Sequence, residues 1–257
     1  MSTATEFKPG EHEEEVRRAH SHRTKHRART RFDSWSGSYD RSILNYFLFR
    51  PSYLTMLEEI ARWRVERREP FRLLDIGCGT ASFAKLLLET GWPVMMVGID
   101  YSPAMCALAR AKMEVAEAEP EETDSSLVGG DSDPQGGIEP GVASIVAGDS
   151  EHLPFASGRF DIVTCANSFH HYPHQQSVVL EMHRVLRPGG RLILLDGFRD
   201  NVIGFVTYDV IVTWVEKHVH HASWAEIDAF MREAGFHSIR RRKVNVFCPI
   251  LATVGEA

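Results

Sequence analysis

The chain has 257 residues, enough for one α/β domain with a sizeable core and some chain to spare. Its apolar and charged content is that of a soluble globular protein, and a formal net charge of −6 excludes a chain built as a whole to coat nucleic acid. Four scattered cysteines with no CxxC pair speak for a reducing compartment rather than a disulfide framework. The start is polar and acidic, with no apolar run of a secretory signal. The longest apolar stretch, 202–215, is broken by Asp209 and falls short of the roughly 20 residues a membrane span needs. These features predict a cytoplasmic protein without stable membrane insertion and without a nucleic-acid partner.

Residues 1–30 read as a disordered charged tail. Glu11 and Glu13 to Glu15 precede a run of arginines and histidines with almost no apolar residue to offset the entropy of ordering it. Two readings stand for that run: a solvated, frayed helix, or a contact with anionic lipid or nucleic acid. The domain proper, 31–257, opens with Phe32, Trp35 and Tyr39 on one helical face. A second helix, beginning near Pro51, carries Tyr53, Leu54, Met56, Leu57 and Ile60. Together they read as an N-terminal helical lid. The pattern then predicts a strand at 72–76, a helix at 81–90, a strand at 93–99 and a helix from Pro103 to about Glu117. Residues 113–142 read as a disordered acidic insertion. From Met113 to Ala147 there are nine acids and no Lys or Arg, around a Gly/Pro/Ser/Asp-rich middle.

Strands follow at 143–147 and 160–166, then a helix at 175–186 and a strand at 191–195, with Gly189-Gly190 punctuating the junction before it. The last helix spans 223–234, with Ser223 as N-cap and Gly235 just past its end. Runs at 238–242 and 244–252 close the chain as strands. Strands alternating with helices imply a Rossmann-like, seven-stranded, mostly parallel sheet with helices on both faces.

The chemistry starts after the first strand, at Asp75-Ile76-Gly77-Cys78-Gly79-Thr80-Ala81. Gly77 and Gly79 let the backbone turn tightly and approach a ligand closely. Asp100 closes the second strand, where an acid can accept both hydroxyls of a ribose. A dinucleotide site shares those features, but two details separate the readings. The dehydrogenase fingerprint wants glycine where Ser82 stands, and Asp75 would repel a pyrophosphate. A phosphate-free nucleoside bearing cations, S-adenosylmethionine, suits a negative wall.

The segments LDIGCGTA, VGIDYSPAMCALAR, GDSEHLPFASGRFDIVTCANSFHHY and EMHRVLRPGGRLILLD resemble, in order and spacing, the successive motifs of class I S-adenosylmethionine-dependent methyltransferases. The similarity is greatest to the ubiquinone/menaquinone C-methyltransferase-like group and covers about 32–236. It departs from the family pattern in the acidic insertion and at Ala81, where a third glycine is usual and a methyl is expected to narrow the pocket slightly. The resemblance implies that Asp75, Gly77, Gly79 and Thr80 surround the methionine moiety of the cofactor. It implies that Asp100 takes the ribose, Tyr101 and Met105 flank the adenine, and Asp149 and Ser150 address its edge. Ala166 and Asn167 then lie beside the amino-acid end and the methyl. Tyr39 resembles the family's aromatic lid residue; a core aromatic on a helix stripe is the other reading.

A carbon or oxygen acceptor must lose a proton, and histidine is the usual base near neutral pH. His170 and His171, directly after the fourth strand, are the candidate catalytic residues; Asp196, closing the fifth, is a further one. No metal is expected: the histidine clusters repeat no zinc spacing and no cysteine is near them. The aromatic and branched residues of 46–53 and 203–214 point to a small, apolar or aromatic acceptor, quinone-like or lipid-like. The alternatives are an RNA or protein acceptor and a non-catalytic cofactor binder.

Overall fold

A computed structural model describes residues 49–118, 141, 143–197, 222–244 and 250–257. The tail, Tyr39, the first helix of the expected lid and almost all of the acidic insertion lie outside the described residues, as does most of 196–221.

The elements, in order, are α1 (Arg50–Arg64), β1 (Phe71–Ile76), α2 (Ser82–Leu88), β2 (Val94–Asp100), α3 (Pro103–Ala118), β3 (Ala143–Ala147) and β4 (Phe160–Ala166). A 3₁₀ turn (Phe169–His171), α4 (Gln175–Val185), β5 (Leu186–Gly197), α5 (Trp224–Ala234), β6 (His237–Lys243) and β7 (Ile250–Glu256) complete them. No described helix is long and apolar enough to cross a membrane.

The seven strands form one sheet in the order β3-β2-β1-β4-β5-β7-β6. β1 to β5 pair in parallel, and β7 runs antiparallel between β5 and β6. Consecutive strand residues point to opposite faces, so Leu73 joins the core under α1, α2 and α3 while Leu74 joins the core under α4 and α5. Both layers are thus built from the same strands. Strand order reverses between β1 and β4, and the crevice outside their carboxyl ends is where such sheets take ligands.

Among the described residues the predicted elements recur with two corrections. The helix α3 runs to Ala118, next to its predicted end near Glu117, and so overlaps the start of the span 113–142 read as an insertion. β5 starts at Leu186 and contains Gly189-Gly190, which lie in a register shift against β4 while Gly189 N–H donates to Ala257 O at 2.7 Å. The final strand is Ile250–Glu256 rather than 244–252, because ILATVG is the run buried between two neighbouring strands.

Local signals at α5 match the sequence. Ser223 accepts from Glu226 N–H, Glu226 accepts from Ser223 N–H at 2.7 Å, and Gly235 ends the helix at φ +103°. The exposed edge strand β6 is tied back by charge. Arg240 and Arg242 pair with Glu59 and Glu58 of α1, and Arg241 with Asp228 of α5. Glu59 is fully buried.

Candidate active site

The glycine loop leaves β1 with Gly77 at φ +72° and Gly79 at φ +53°, conformations that suit glycine. Gly77 N–H and Cys78 N–H donate to Ile99 O at 2.8 and 3.1 Å, pinning the loop to the end of β2. A Cβ on Gly77 would lie 2.4 Å from Ser168 Oγ and 2.8 Å from the Tyr172 hydroxyl, so this glycine is required by close approach. At Gly79 the space around a Cβ is open, and its N–H donates to Asp100 Oδ2 at 2.9 Å. The other oxygen of Asp100 accepts from Ser102 N–H at 2.8 Å, which fixes the carboxylate at the crevice.

Asp75 lies one layer deeper, 4% exposed, and accepts from Thr164 Oγ1–H at 2.7 Å. Burial pushes its carboxyl up to about 7, against the Thr164 bond and helped by the nearby charge of Asp100. Thr80 accepts from Lys112 Nζ at 3.1 Å. Burial pushes the Cys165 thiol up to about 12, against a Ser168 hydrogen bond, and burial with the charges of Asp100 and Asp75 raises Cys78 well above the ordinary range, so neither is a ready nucleophile.

One pocket collects nearly every residue expected of the cofactor site. Asp75, Gly77, Gly79 and Thr80 line it from β1. Asp100 at the end of β2, Tyr101 just after it and Met105 on α3 line it, with Asp149 and Ser150 from the loop after β3. Ala166 and Asn167 line it from the end of β4. Asn167 stands at φ +55°, and its amide nitrogen is buried with no hydrogen-bond partner among the described residues. Ala81 does not narrow this pocket. It is fully buried outside the wall, in the left-handed region at φ +59°, so its cost is backbone strain rather than lost space.

The two histidines part company. His171 lines the pocket, whereas His170 turns to Asp196. His170 Nδ1 lies 2.6 Å from Asp196 Oδ1, and His170 N–H and Gly197 N–H also donate to that carboxylate, at 2.7 and 2.6 Å. Asp196 is thereby a buried anchor for His170 rather than a group facing the pocket. The two rings still touch, 4.0 Å between centroids.

Tyr53, within the aromatic run 46–53 expected beside the acceptor, lines the pocket, whereas sequence reasoning missed Phe83, Ser168 and Tyr172. Ser168 and Tyr172 were within reach, since a glycine forced by close approach implies a neighbour. Phe83, whose ring centroid lies 5.9 Å from that of Tyr53, carries no local signal.

The model of the methyltransferase domain matches residues 74–194. The chain is 32% identical over 141 residues to the demethylmenaquinone methyltransferase of Thermus thermophilus, covering 52% of this chain and 54% of the relative. It is 29% identical over 175 residues to that of Geobacillus kaustophilus, covering 68% and 64%. These matches span about half to two thirds of the curated relatives' length. Among solved structures, magnesium protoporphyrin IX methyltransferase from Synechocystis PCC 6803 with bound SAH superposes at a TM-score of 0.63 and 19% identity, covering 91% of this chain and 100% of that one. Fold, pocket and domain match, the last over just under half of the chain, make it similar to the class I S-adenosylmethionine-dependent methyltransferases. Over the matched span the chain resembles demethylmenaquinone methyltransferases.

The residues present fit the cofactor of that class. Asp75 and Asp100 face a space with an open glycine surface, and burial, with the charge of Asp100, pushes the carboxyl of Asp75 up to about 7. An ammonium or sulfonium would draw Asp75 back to its ionised form.

Proposed function

We propose that the protein methylates a ring carbon of a small, apolar, hydroxylated aromatic acceptor of quinone-like type. The observation that carries this reading is a single pocket joining the Asp75/Asp100 pair to an aromatic wall, Tyr53 and Phe83, and to His171. Bound S-adenosylmethionine supplies a methyl carbon activated by a sulfonium, with a neutral thioether as leaving group. The protein's part is alignment, exclusion of water and removal of the hydroxyl proton. Asp75 and the glycine loop hold the amino-acid end, Asp100 the ribose, and Met105 with Asp149 the adenine. Tyr53 and Phe83 offer the acceptor a dry aromatic surface.

His171 takes the proton of the acceptor hydroxyl, which raises electron density at the neighbouring ring carbon. As that carbon takes the methyl, the S–CH3 bond breaks to the thioether. The ring carbon then loses its own proton, which returns to the ring oxygen, while the proton on His171 passes to water. Asp196, by orienting His170 against the His171 ring, fixes where His171 sits. Labelled S-adenosylmethionine offered with demethylmenaquinone-type acceptors should give a C-methylated product, identified by mass. His171→Gln should lower kcat by roughly 10²–10⁴-fold, the range for general base catalysis, and leave cofactor affinity unchanged. Methylation of hydrophilic amines alone would overturn the reading.

A further inference from the structure

Three loops that leave the sheet at β1, β3 and β4 meet at one oxygen atom, the hydroxyl of Tyr172. It lies 3.1 Å from Ser168 Oγ, just after β4, and is hydrogen-bonded to Ser150, just after β3. Ser168 Oγ donates in turn to Ile76 O at 3.3 Å and sits 3.2 Å from Cys165 Sγ. A Cβ on Gly77 would come within 2.8 Å of the same hydroxyl, so the β1 loop closes against it as well. The ring is braced edge-on by Phe169, 6.0 Å between centroids, which leaves the hydroxyl little freedom. Gly77, Ser150, Ser168 and Tyr172 all line the pocket.

We infer that Tyr172 is a positioning residue that sets the separation between the adenine-side loop at Asp149-Ser150 and the methionine-side loop at Gly77-Ser168. The inference rests on the cofactor assignment above. A ligand with two ends linked through a ribose binds as a chelate. Each end gains from the other only while both subsites keep the spacing that the linker demands. Removing the hydroxyl lets the Ser150 loop drift relative to the glycine loop. A ligand that uses one subsite hardly feels this, whereas one that spans both loses its pre-organised partner. A purely structural role for Tyr172 makes no such distinction.

Calorimetric titration of the full chain with S-adenosylhomocysteine and, separately, with adenosine tests the point. Tyr172→Phe, which keeps the ring, should weaken S-adenosylhomocysteine roughly five- to tenfold, the loss expected for one hydrogen bond, and adenosine by less than about twofold. Ser168→Ala removes the partner 3.1 Å from the same hydroxyl on the methionine side and carries the test if Tyr172→Phe does not fold. The double variant should then bind no more weakly than the weaker single one. Equal losses for both ligands, no loss, or additive losses would overturn the inference while leaving the cofactor assignment intact. Failure of the unmodified chain to bind S-adenosylhomocysteine would overturn both.

Discussion

Replacing Asp75 by Asn separates what the fold wants from what the cofactor wants. The carboxyl is 4% exposed, and its folded-state value of about 7 stands about 3 units above the ordinary 3.8. An acid with a raised value in the folded state binds more protons there than in the unfolded chain. Its stability contribution is therefore complete below the unfolded value and lost as pH rises through about 7. At 1.36 kcal/mol per unit, the cost above pH 7 is at most about 4 kcal/mol. Asn keeps an oxygen for Thr164 Oγ1–H, 2.7 Å away in the native protein, and carries no charge to desolvate. The apo variant should thus be more stable at pH 8 by up to about 4 kcal/mol, or roughly 10 °C in melting temperature at this size. It should bind S-adenosylmethionine much more weakly. In the unmodified protein the same linkage makes binding release a proton below pH 7, and affinity should fall about tenfold per unit of acidification there. Urea unfolding of both apo proteins at pH 5 and pH 8, with calorimetry in two buffers of different ionisation enthalpy, measures every part of this. Equal stability of variant and parent at pH 8, with pH-independent binding, would refute the reasoning.

Gly77→Ala should abolish cofactor binding and cost about 2–4 kcal/mol, since the new methyl meets Ser168 and the backbone sits at φ +72°; thermal melts and titration check it. Ala81→Gly should do the reverse. Relief of about 1–2 kcal/mol of left-handed strain at φ +59°, against about 0.8 kcal/mol for a buried methyl, predicts a net gain of up to about 1 kcal/mol in urea unfolding with cofactor affinity unchanged. Glu59→Gln tests the tie between α1 and β6. Burial alone raises the Glu59 carboxyl, but the Arg240 bond and the charges of Arg240, Arg62 and Arg242 pull it below the usual range. Its stabilisation is present above the unfolded value of about 4.5 and lost as pH falls through the folded one. The variant should lose about 1–2 kcal/mol at pH 7, modest because Arg240 is partly solvated, with the gap narrowing towards pH 4.

What one sequence determined here is whatever depends on neighbours along the chain. Strand periodicity placed β3 and β4 to the residue, Ser223 and Gly235 marked the ends of α5, and the spacing from Asp75 through Gly79 to Asp100 marked a cationic nucleoside site before any coordinates. Backbone propensity and local chemistry suffice for such features. Tertiary structure alone decided which of two adjacent histidines meets the pocket: on a 3₁₀ turn successive side chains diverge by about 120°, and a buried Asp196 from another strand captured the first. It decided that β7 is the run buried between β5 and β6, a matter of sheet order rather than of apolar content. It also brought Phe83 from α2 and Tyr172 from beyond β4 to the same pocket, because convergence of distant segments is set by packing, which no local pattern encodes.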